Sequence, residues 1–368
     1  MELDGDREDA PPGGVAVKVA IVGAGVMGCT TAIVLAQRGA DVVVLERAVP
    51  GAEASSAAAG ILGAQVELHG RSDSVALFVR ARDAWREWAG ALRDASGCDV
   101  GHRVTGVLRI ARSEADASDL EREVQWQRAR GLRASLLDAG EARKVEPELA
   151  QELVAAAHFP DDAQVDPPAL LRALIVALSR TPRATVRPGA TVEGLIVERD
   201  RCVGVKLGDM DLRADATVLA AGSWSSLVPG LPPGLPQVRP VRGQMVLLDE
   251  RPPRVRSIVF GAGGYVVPRG DGRVLCGSTM ERAGFRKEVT AAGVHAILAC
   301  ALACVPSLGA AQVAGMWSNF RPHAEGESAL VGSSSLPGLF LATGHHRNGI
   351  LLAKVTADAV ASAVLGPA

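Results

Sequence analysis

Three short segments gather the side chains able to handle a small charged molecule. Gly263-Gly264-Tyr265-Val266-Val267-Pro268 carries the sole tyrosine of the chain. Trp317-Ser318-Asn319-Phe320-Arg321-Pro322-His323 and Gly344-His345-His346-Arg347-Asn348-Gly349 hold both asparagines, three of the seven histidines and two arginines. An arginine inside an otherwise apolar strand, as Arg321 is, needs a partner, and its planar fork suits a carboxylate. That partner is either a structural Asp or Glu or the carboxylate of a substrate, which the Tyr265 hydroxyl could share. His345 and His346 read as packing or capping residues before they read as bases. The chain has no H-E-x-x-H, no G-x-S-x-G, no phosphate-binding G-K-[ST] loop and no paired catalytic carboxylates, so hydrolase and kinase chemistry has nothing to stand on.

The elements that must position these groups begin near Val15. VAVKVAIV reads as a buried parallel strand: short, apolar, β-branched and ended by glycine. Gly23-Ala24-Gly25-Val26-Met27-Gly28 follows and opens a helix that runs to Gln37, and Asp41–Leu45 is a second buried strand with Glu46 and Arg47 at its end. A G-x-G-x-x-G alone is weak. Between a strand and a helix, with an acid 18 residues after its last glycine, it points to a dinucleotide. Gly23 makes the tight turn, Gly25 lets backbone approach a pyrophosphate, and Gly28 allows close helix–strand packing. The helix N-terminus offers free N–H groups to phosphates, and Glu46 is placed for ribose hydroxyls, which disfavours a 2′-phosphate. The next stretch, GAEASSAAAGILGAQVEL, is a run of small residues leading into Ile61-Leu62, and small side chains let backbone lie against a flat ring system. The helix after Arg347 would aim its N-terminus back at such a ring and stabilise negative charge developing on a reduced flavin.

Further along, the pattern predicts a helix over 75–92, a strand over 105–111, helices over 115–130 and 167–180, and a hairpin of 191–198 with 202–207 turning at Asp200-Arg201. A buried strand over 216–220 runs into Ala221-Gly222-Ser223-Trp224 and returns the chain to the first sheet. A Pro-rich boundary follows. Antiparallel strands are then expected over 242–248, 265–268 and 273–278, with an Asp271-Gly272 turn, then a helix over 291–304, a strand over 314–321, and a closing strand (339–343) and helix (349–365). The fold class is therefore α/β: a Rossmann-like cofactor-binding domain built from discontinuous segments, 15–95, 145–228 and 322–368. It interleaves with a mostly antiparallel-sheet substrate domain, 96–144 and 229–321. Residues 1–14 are acidic and Pro/Gly-rich and read as a disordered tail, without the basic start and apolar stretch of a signal peptide.

Composition narrows the function further. The chain has 368 residues, 48% hydrophobic and 22% charged, with a formal net charge of −2. That is ordinary globular material without the basic surface a nucleic-acid partner requires. No apolar run reaches the roughly 18 residues of a membrane helix, and a cytoplasmic location is expected. The six cysteines form no C-x-x-C pair, and Cys300 and Cys304 read as small buried hydrophobes rather than metal ligands.

Taken together, GAGVMG with Glu46, ASSAAAGILGAQVE, VRPVRGQMV, YVVPRGDGRVLCGSTME, WSNFRP and ATGHHRNGILLA resemble the glycine oxidases of thiamine-thiazole biosynthesis, in the D-amino-acid oxidase superfamily of FAD enzymes. The resemblance runs from about Val17 to Leu365. It implies FAD held noncovalently, since no cysteine stands in 319–323, where a branch with covalent flavin carries one. Under it, the segment from Gly23 through Ala24, Gly25, Val26 and Met27 to Gly28 wraps the pyrophosphate, and Glu46, with Arg47 beside it, takes the ribose. Ser55, Ser56, Gly60 and Ile61 line the flavin and its phosphates, and Val192 meets the adenine. Gly222 joins the cofactor set, and His346, Arg347, Asn348, Gly349, Ile350 and Leu351 lie along the ring system. Tyr265 and Arg321 grip the substrate carboxylate, Met280 lines the pocket, Arg347 sits near substrate and flavin, and the Glu67 segment acts as a lid.

The implied reaction is oxidation of glycine or a small amino acid to the imine, with dioxygen as acceptor and hydrogen peroxide as product, in an enzyme that is often a homotetramer. Gly263, Asn319-Phe320, His323, His346 and Lys354 depart from the family pattern, leaving the carboxylate clamp intact but its walls different. Sarcosine, a D-amino acid or another secondary amine is then the alternative substrate. A flavoprotein dehydrogenase with a different acceptor is the alternative class.

Overall fold

The structure, a computed structural model, describes residues 16–68, 74–208, 210–326 and 328–367; the expected tail at 1–14 lies outside them. Lys18–Val22 is the central strand of a six-stranded sheet, and burial of four of its five residues explains its unbroken apolar run. Asp41–Glu46 and Ala216–Leu219 pair with it in parallel on either side. Ala184–Pro188 extends the sheet beyond the first, and Leu339–Thr343 beyond the second. Leu330–Ser333 closes the edge antiparallel.

The Val26–Gln37 helix is buried along nearly its whole length. It packs against Gly349–Leu365 and Pro167–Arg180, and their apolar faces form one core with Trp85 at its centre. On the other face a three-stranded sheet of Gly194–Glu198, Arg201–Leu207 and Met210–Arg213 covers Leu45, Val22 and Leu219. The hairpin tip falls at Arg199-Asp200, both at positive φ of 47° and 58°, one residue before the expected pair.

The second sheet has eight strands in the order Gln312–Ala324, Val238–Asp249, Arg273–Gly277, Gly264–Pro268, Ile258–Gly261, Val107–Ala111, Ala155–Phe159, Ser135–Asp138. All its pairs are antiparallel except Val107–Ala111 with Ile258–Gly261. The Ala155–Phe159 strand, from a segment expected with the cofactor-binding unit, pairs here instead. Val238–Asp249 begins four residues earlier than its apolar pattern and carries Pro240 within it. The long register of Val238–Asp249 on Gln312–Ala324 places Arg321 opposite Val241. Tyr265 pairs opposite Gly277 on the other flank of the same group of strands.

Candidate active site

One cavity of about 380 Å³ lies between the two sheets. Its two ends are built differently.

At the first end the chain turns sharply at Gly23, whose φ of 103° suits glycine and where a Cβ would press to 2.6 Å from the Ala220 carbonyl oxygen. A Cβ on Gly28 would overlap the carbonyl of Gly23, so that glycine is fixed by helix–strand packing. Gly25 differs. Its φ of −78° is open to any residue, and the sole protein atom near an added Cβ is Ser55 Oγ, at 3.2 Å. Neither backbone nor packing demands glycine there, so the missing side chain serves the space beyond it. Ser55 Oγ accepts the Val26 N–H at 3.0 Å, at the start of the helix. Glu46 accepts the Ala24 N–H through Oε2 and the Ala48 N–H through Oε1, both at 3.0 Å, which fixes its carboxylate at the strand end. Arg47 lies over the Trp224 ring, 3.9 Å from its centroid.

At the second end Arg321 projects from its strand across Gly243, where any side chain would overlap the guanidinium. Its Nη1 donates to the Thr279 carbonyl at 3.1 Å and its Nη2 to Ser278 Oγ at 2.6 Å. Both acceptors are neutral, and among the described residues no carboxylate pairs with this cation. Burial draws its pKa down, and the neighbouring Arg347 adds to that, while Tyr265 beside it acts the other way. The Tyr265 hydroxyl donates to Met245 Sδ at 3.5 Å, a weak bond that a better acceptor would replace.

Arg347 is the contrasting cation. It makes a bidentate pair with Glu67, Nε to Oε2 at 2.9 Å and Nη2 to Oε1 at 2.6 Å. His345 is buried, its Nε2 2.9 Å from Thr356 Oγ1, and burial pushes its pKa down to about 4. It ties the Gly349–Leu365 helix to the strand end that precedes it.

Of the residues expected to hold a cofactor, the cavity is lined by Gly23, Gly25, Val26, Met27, Glu46, Arg47, Ser55, Gly60, Ile61, Val192, Gly222, His346, Arg347, Asn348, Gly349 and Ile350. Tyr265 and Arg321 also line it. Five expected residues do not. Ala24 and Gly28 are held in the turn and the helix–strand contact described above. Ser56 faces a separate hollow behind the small-residue helix. Leu351 is buried, and its carbonyl accepts the Trp85 indole N–H at 3.0 Å. Met280, expected to line the pocket, is 59% exposed at the surface, and the methionine that lines the cavity beside Tyr265 is Met245.

Three further residues escaped the sequence reading. Gly243 is a strand-interior glycine, which is itself a signal of close approach. Met245 gave no signal beyond its place in an apolar strand. Asp162 is fully buried and accepts the N–H groups of Gln65 at 3.0 Å and Val66 at 2.9 Å, so it anchors the segment that carries Glu67. Burial raises its pKa to about 7 against the pull of those bonds and of Arg82.

A parallel sheet with a glycine turn and terminal acid, joined through one cavity to a clamp on a second sheet, defines a dinucleotide-dependent oxidoreductase. The chain belongs to the FAD dependent oxidoreductase family, whose model matches residues 18–363. It is similar to the glycine oxidase of Geobacillus kaustophilus, at 36% identity over 94% of this chain and 92% of that protein. It is also similar to the bifunctional protein ThiO/ThiG of Nostoc sp., at 34% identity over 94% of this chain and 52% of that protein. Among solved structures, glycine oxidase from Geobacillus kaustophilus aligns with a TM-score of 0.90 at 35% identity over 96% of both chains. Iminodiacetate oxidase from Chelativorans sp. BNC1 aligns at 0.85 and 27% identity, covering 95% of this chain and 96% of that one.

FAD is the family's cofactor, and the first end fits it. The open space at Gly25, the helix N-terminus at Val26 and the fixed Glu46 carboxylate are the features an adenine dinucleotide requires. Among the described residues no helix is long and apolar enough to cross a membrane, and no group of three or more His, Cys, Asp or Glu is placed to hold a metal.

Proposed function

We propose that the protein is an oxidase of glycine or a closely related small amine. The observation that carries this reading is Arg321, a cation in the cavity wall held by neutral acceptors and lacking a carboxylate partner among the described residues. A buried cation without a counter-ion is costly. A substrate carboxylate, shared with the Tyr265 hydroxyl, removes that cost and fixes the α-carbon in the cavity. FAD, held by the Gly23–Gly28 turn, Glu46, Ser55 and the Gly344–Ile350 segment, supplies the two-electron acceptor. The clamp orients the substrate, and Arg347 is held off the carboxylate by Glu67. The surrounding apolar walls favour the neutral amine, from which the α-carbon loses a hydride and the nitrogen a proton. Hydrolysis of the resulting imine gives glyoxylate and ammonia. With dioxygen as acceptor, glycine, O₂ and water yield glyoxylate, ammonia and hydrogen peroxide. No side-chain base is required, because positioning and electrostatics supply the rate.

The supply of an intermediate to thiamine-thiazole formation belongs to the same reading and draws support from the similarity to ThiO/ThiG. A cytoplasmic location, a homotetrameric assembly and the division into 15–95, 145–228 and 322–368 against 96–144 and 229–321 are also part of it. The deciding experiment measures peroxide from the purified yellow protein with glycine, sarcosine and small D-amino acids, with and without an artificial electron acceptor. Peroxide formed with glycine at rates comparable to acceptor reduction is expected. Reduction of the artificial acceptor with negligible peroxide would instead identify a dehydrogenase.

A further inference from the structure

His346 is held beside Arg321 by the backbone. Its N–H donates at 2.8 Å to the carbonyl of Pro322, the residue after Arg321, and a bridge between His323 and His345 reinforces the contact. The His346 ring meets that of His323 edge to face with centroids 4.9 Å apart and lines the cavity. Neither ring nitrogen has a hydrogen-bond partner among the described residues, and Nε2 is closed off from water. The residue also sits at φ +50°, in the left-handed region that few residues other than glycine, asparagine, aspartate and histidine adopt. Burial first, and then the charges of Arg321, His323 and Arg347, push its pKa down to about 4. The ring is therefore neutral near pH 7, with one nitrogen able to accept.

The groups around it show what it lacks. Glu67 lines the cavity, and Arg347 occupies both its carboxylate oxygens. Asn319 Oδ1 is taken by the Phe320 N–H at 2.8 Å. The Thr343 hydroxyl is engaged with Ser225 and the Gly222 carbonyl. A substrate whose carboxylate rests on Arg321 and Tyr265 has its acceptor oxygens served, but its amine N–H needs an acceptor close to the same guanidinium.

We propose that His346 is a specificity-determining residue that accepts a hydrogen bond from the substrate amine N–H, so that the site selects primary and secondary amines over tertiary ones. This rests on the reading of the cavity as an amino-acid oxidase site and goes beyond it in assigning the nitrogen end of the substrate. A neutral hydrogen bond is worth roughly 3- to 10-fold in an equilibrium or rate constant. Its signature is the ratio of glycine to N,N-dimethylglycine oxidation, since the latter, as the neutral amine, has no N–H to donate.

The test measures kcat/KM for glycine, sarcosine, N,N-dimethylglycine and methylamine in the flavin-loaded wild type, His346→Phe and His346→Asn. His346→Phe should lower the glycine to dimethylglycine ratio about 3- to 10-fold. His346→Asn, which tolerates the left-handed backbone and keeps an acceptor, should hold the ratio within about twofold of wild type. An unchanged ratio in His346→Phe overturns the inference. So does a common fall for glycine and dimethylglycine that spares methylamine, because the ring would then serve the carboxylate. If His346→Phe does not fold, His346→Ala carries the same comparison.

A binding arm separates this inference from the oxidase reading. Glycolate, with an O–H at the amine position, and methoxyacetate, without one, are titrated against the flavin absorbance of the same proteins. Wild type that oxidises none of the amines defeats the oxidase reading. The His346 contact then stands or falls on whether the glycolate to methoxyacetate affinity ratio drops in His346→Phe.

Discussion

The two ends of the cavity solve opposite problems. At the glycine-turn end the groups that mark the site have partners within the chain: the Val26 N–H on Ser55, the Glu46 carboxylate on two backbone N–H groups. What is missing there is side-chain volume, at Gly25. At the clamp end volume is filled, by Met245, Phe320 and the two histidines, and what is missing, among the described residues, is a carboxylate paired with Arg321. Space without unmet polarity suits a group that stays bound. Unmet polarity within a packed wall suits a molecule that comes and goes, since its binding energy is realised only while it is present. Arg347 shows the alternative within the same wall, a guanidinium already satisfied by Glu67.

That contrast breaks most visibly at Arg321. Losing one partner of a buried charge pair costs about 2–5 kcal/mol, and each 1.36 kcal/mol is about tenfold. Arg321→Ala should therefore lower kcat/KM for glycine about 30- to 5,000-fold, with the flavin spectrum retained. Oxidation of amines without a carboxylate should be little affected. Equal losses for both would make Arg321 structural and move the clamp to Arg347.

Next comes the glycine turn, where Gly25 and Gly28 should separate. An intruding side chain costs about 1–3 kcal/mol where something must move aside, so Gly25→Val should fold normally by circular dichroism yet bind FAD about 10- to 100-fold more weakly. Gly28→Val, whose side chain would overlap the Gly23 carbonyl, should fail to give folded protein at all. A yellow, fully loaded Gly25→Val protein would show that the cofactor does not pass over that residue.

Tyr265→Phe sharpens the clamp at lower cost. It removes one neutral hydrogen bond beside a cation that remains, so kcat/KM for glycine should fall on the order of tenfold. A loss as large as that of Arg321→Ala would mean that the tyrosine, rather than the guanidinium, bears the anion.

The remaining effect is on stability rather than on binding or rate and concerns His345. Its folded pKa of about 4 lies below the ordinary value of 6.5. Between those values the unfolded chain binds the proton and the folded chain does not. This contribution to stability is thus present above pH 6.5 and is lost as pH falls toward 4, at up to about 1.4 kcal/mol per pH unit. Buried Asp162, with its pKa raised to about 7, works in the opposite direction, so the readout is a difference between proteins. The melting temperature of wild type should fall more steeply from pH 6.5 to 4.5 than that of His345→Asn. Parallel curves would mean that His345 is protonated in the folded state.

The sequence by itself carried the first end of the cavity almost whole. A strand, a glycine turn, a helix and a terminal acid are consecutive, and each follows from local rules: apolar continuity, the needs of a turn, the charge of a helix N-terminus. The helices Pro167–Arg180 and Gly349–Leu365 and the strand Leu339–Thr343 were legible with their bounds for the same reason. The strand Ser135–Asp138 was not, because an edge strand with little burial leaves no alternation to read. The strand Ala155–Phe159 was not read either, because a short run of alanines ending in His158-Phe159 carries no alternation and does not say which strand it pairs with. The clamp lay between these cases. Arg321 and Tyr265 stood out by residue type. The seat for the guanidinium over Gly243, the Met245 contact, the Glu67 pair that neutralises Arg347 and the pinning of His346 beside Arg321 join residues about 20 to 280 positions apart. Such contacts depend on strand register and on how two sheets face each other, and those are set by long-range packing that no local pattern encodes. Which of two similar arginines pairs with a carboxylate, and which has none among the described residues, was therefore decided by the tertiary structure alone.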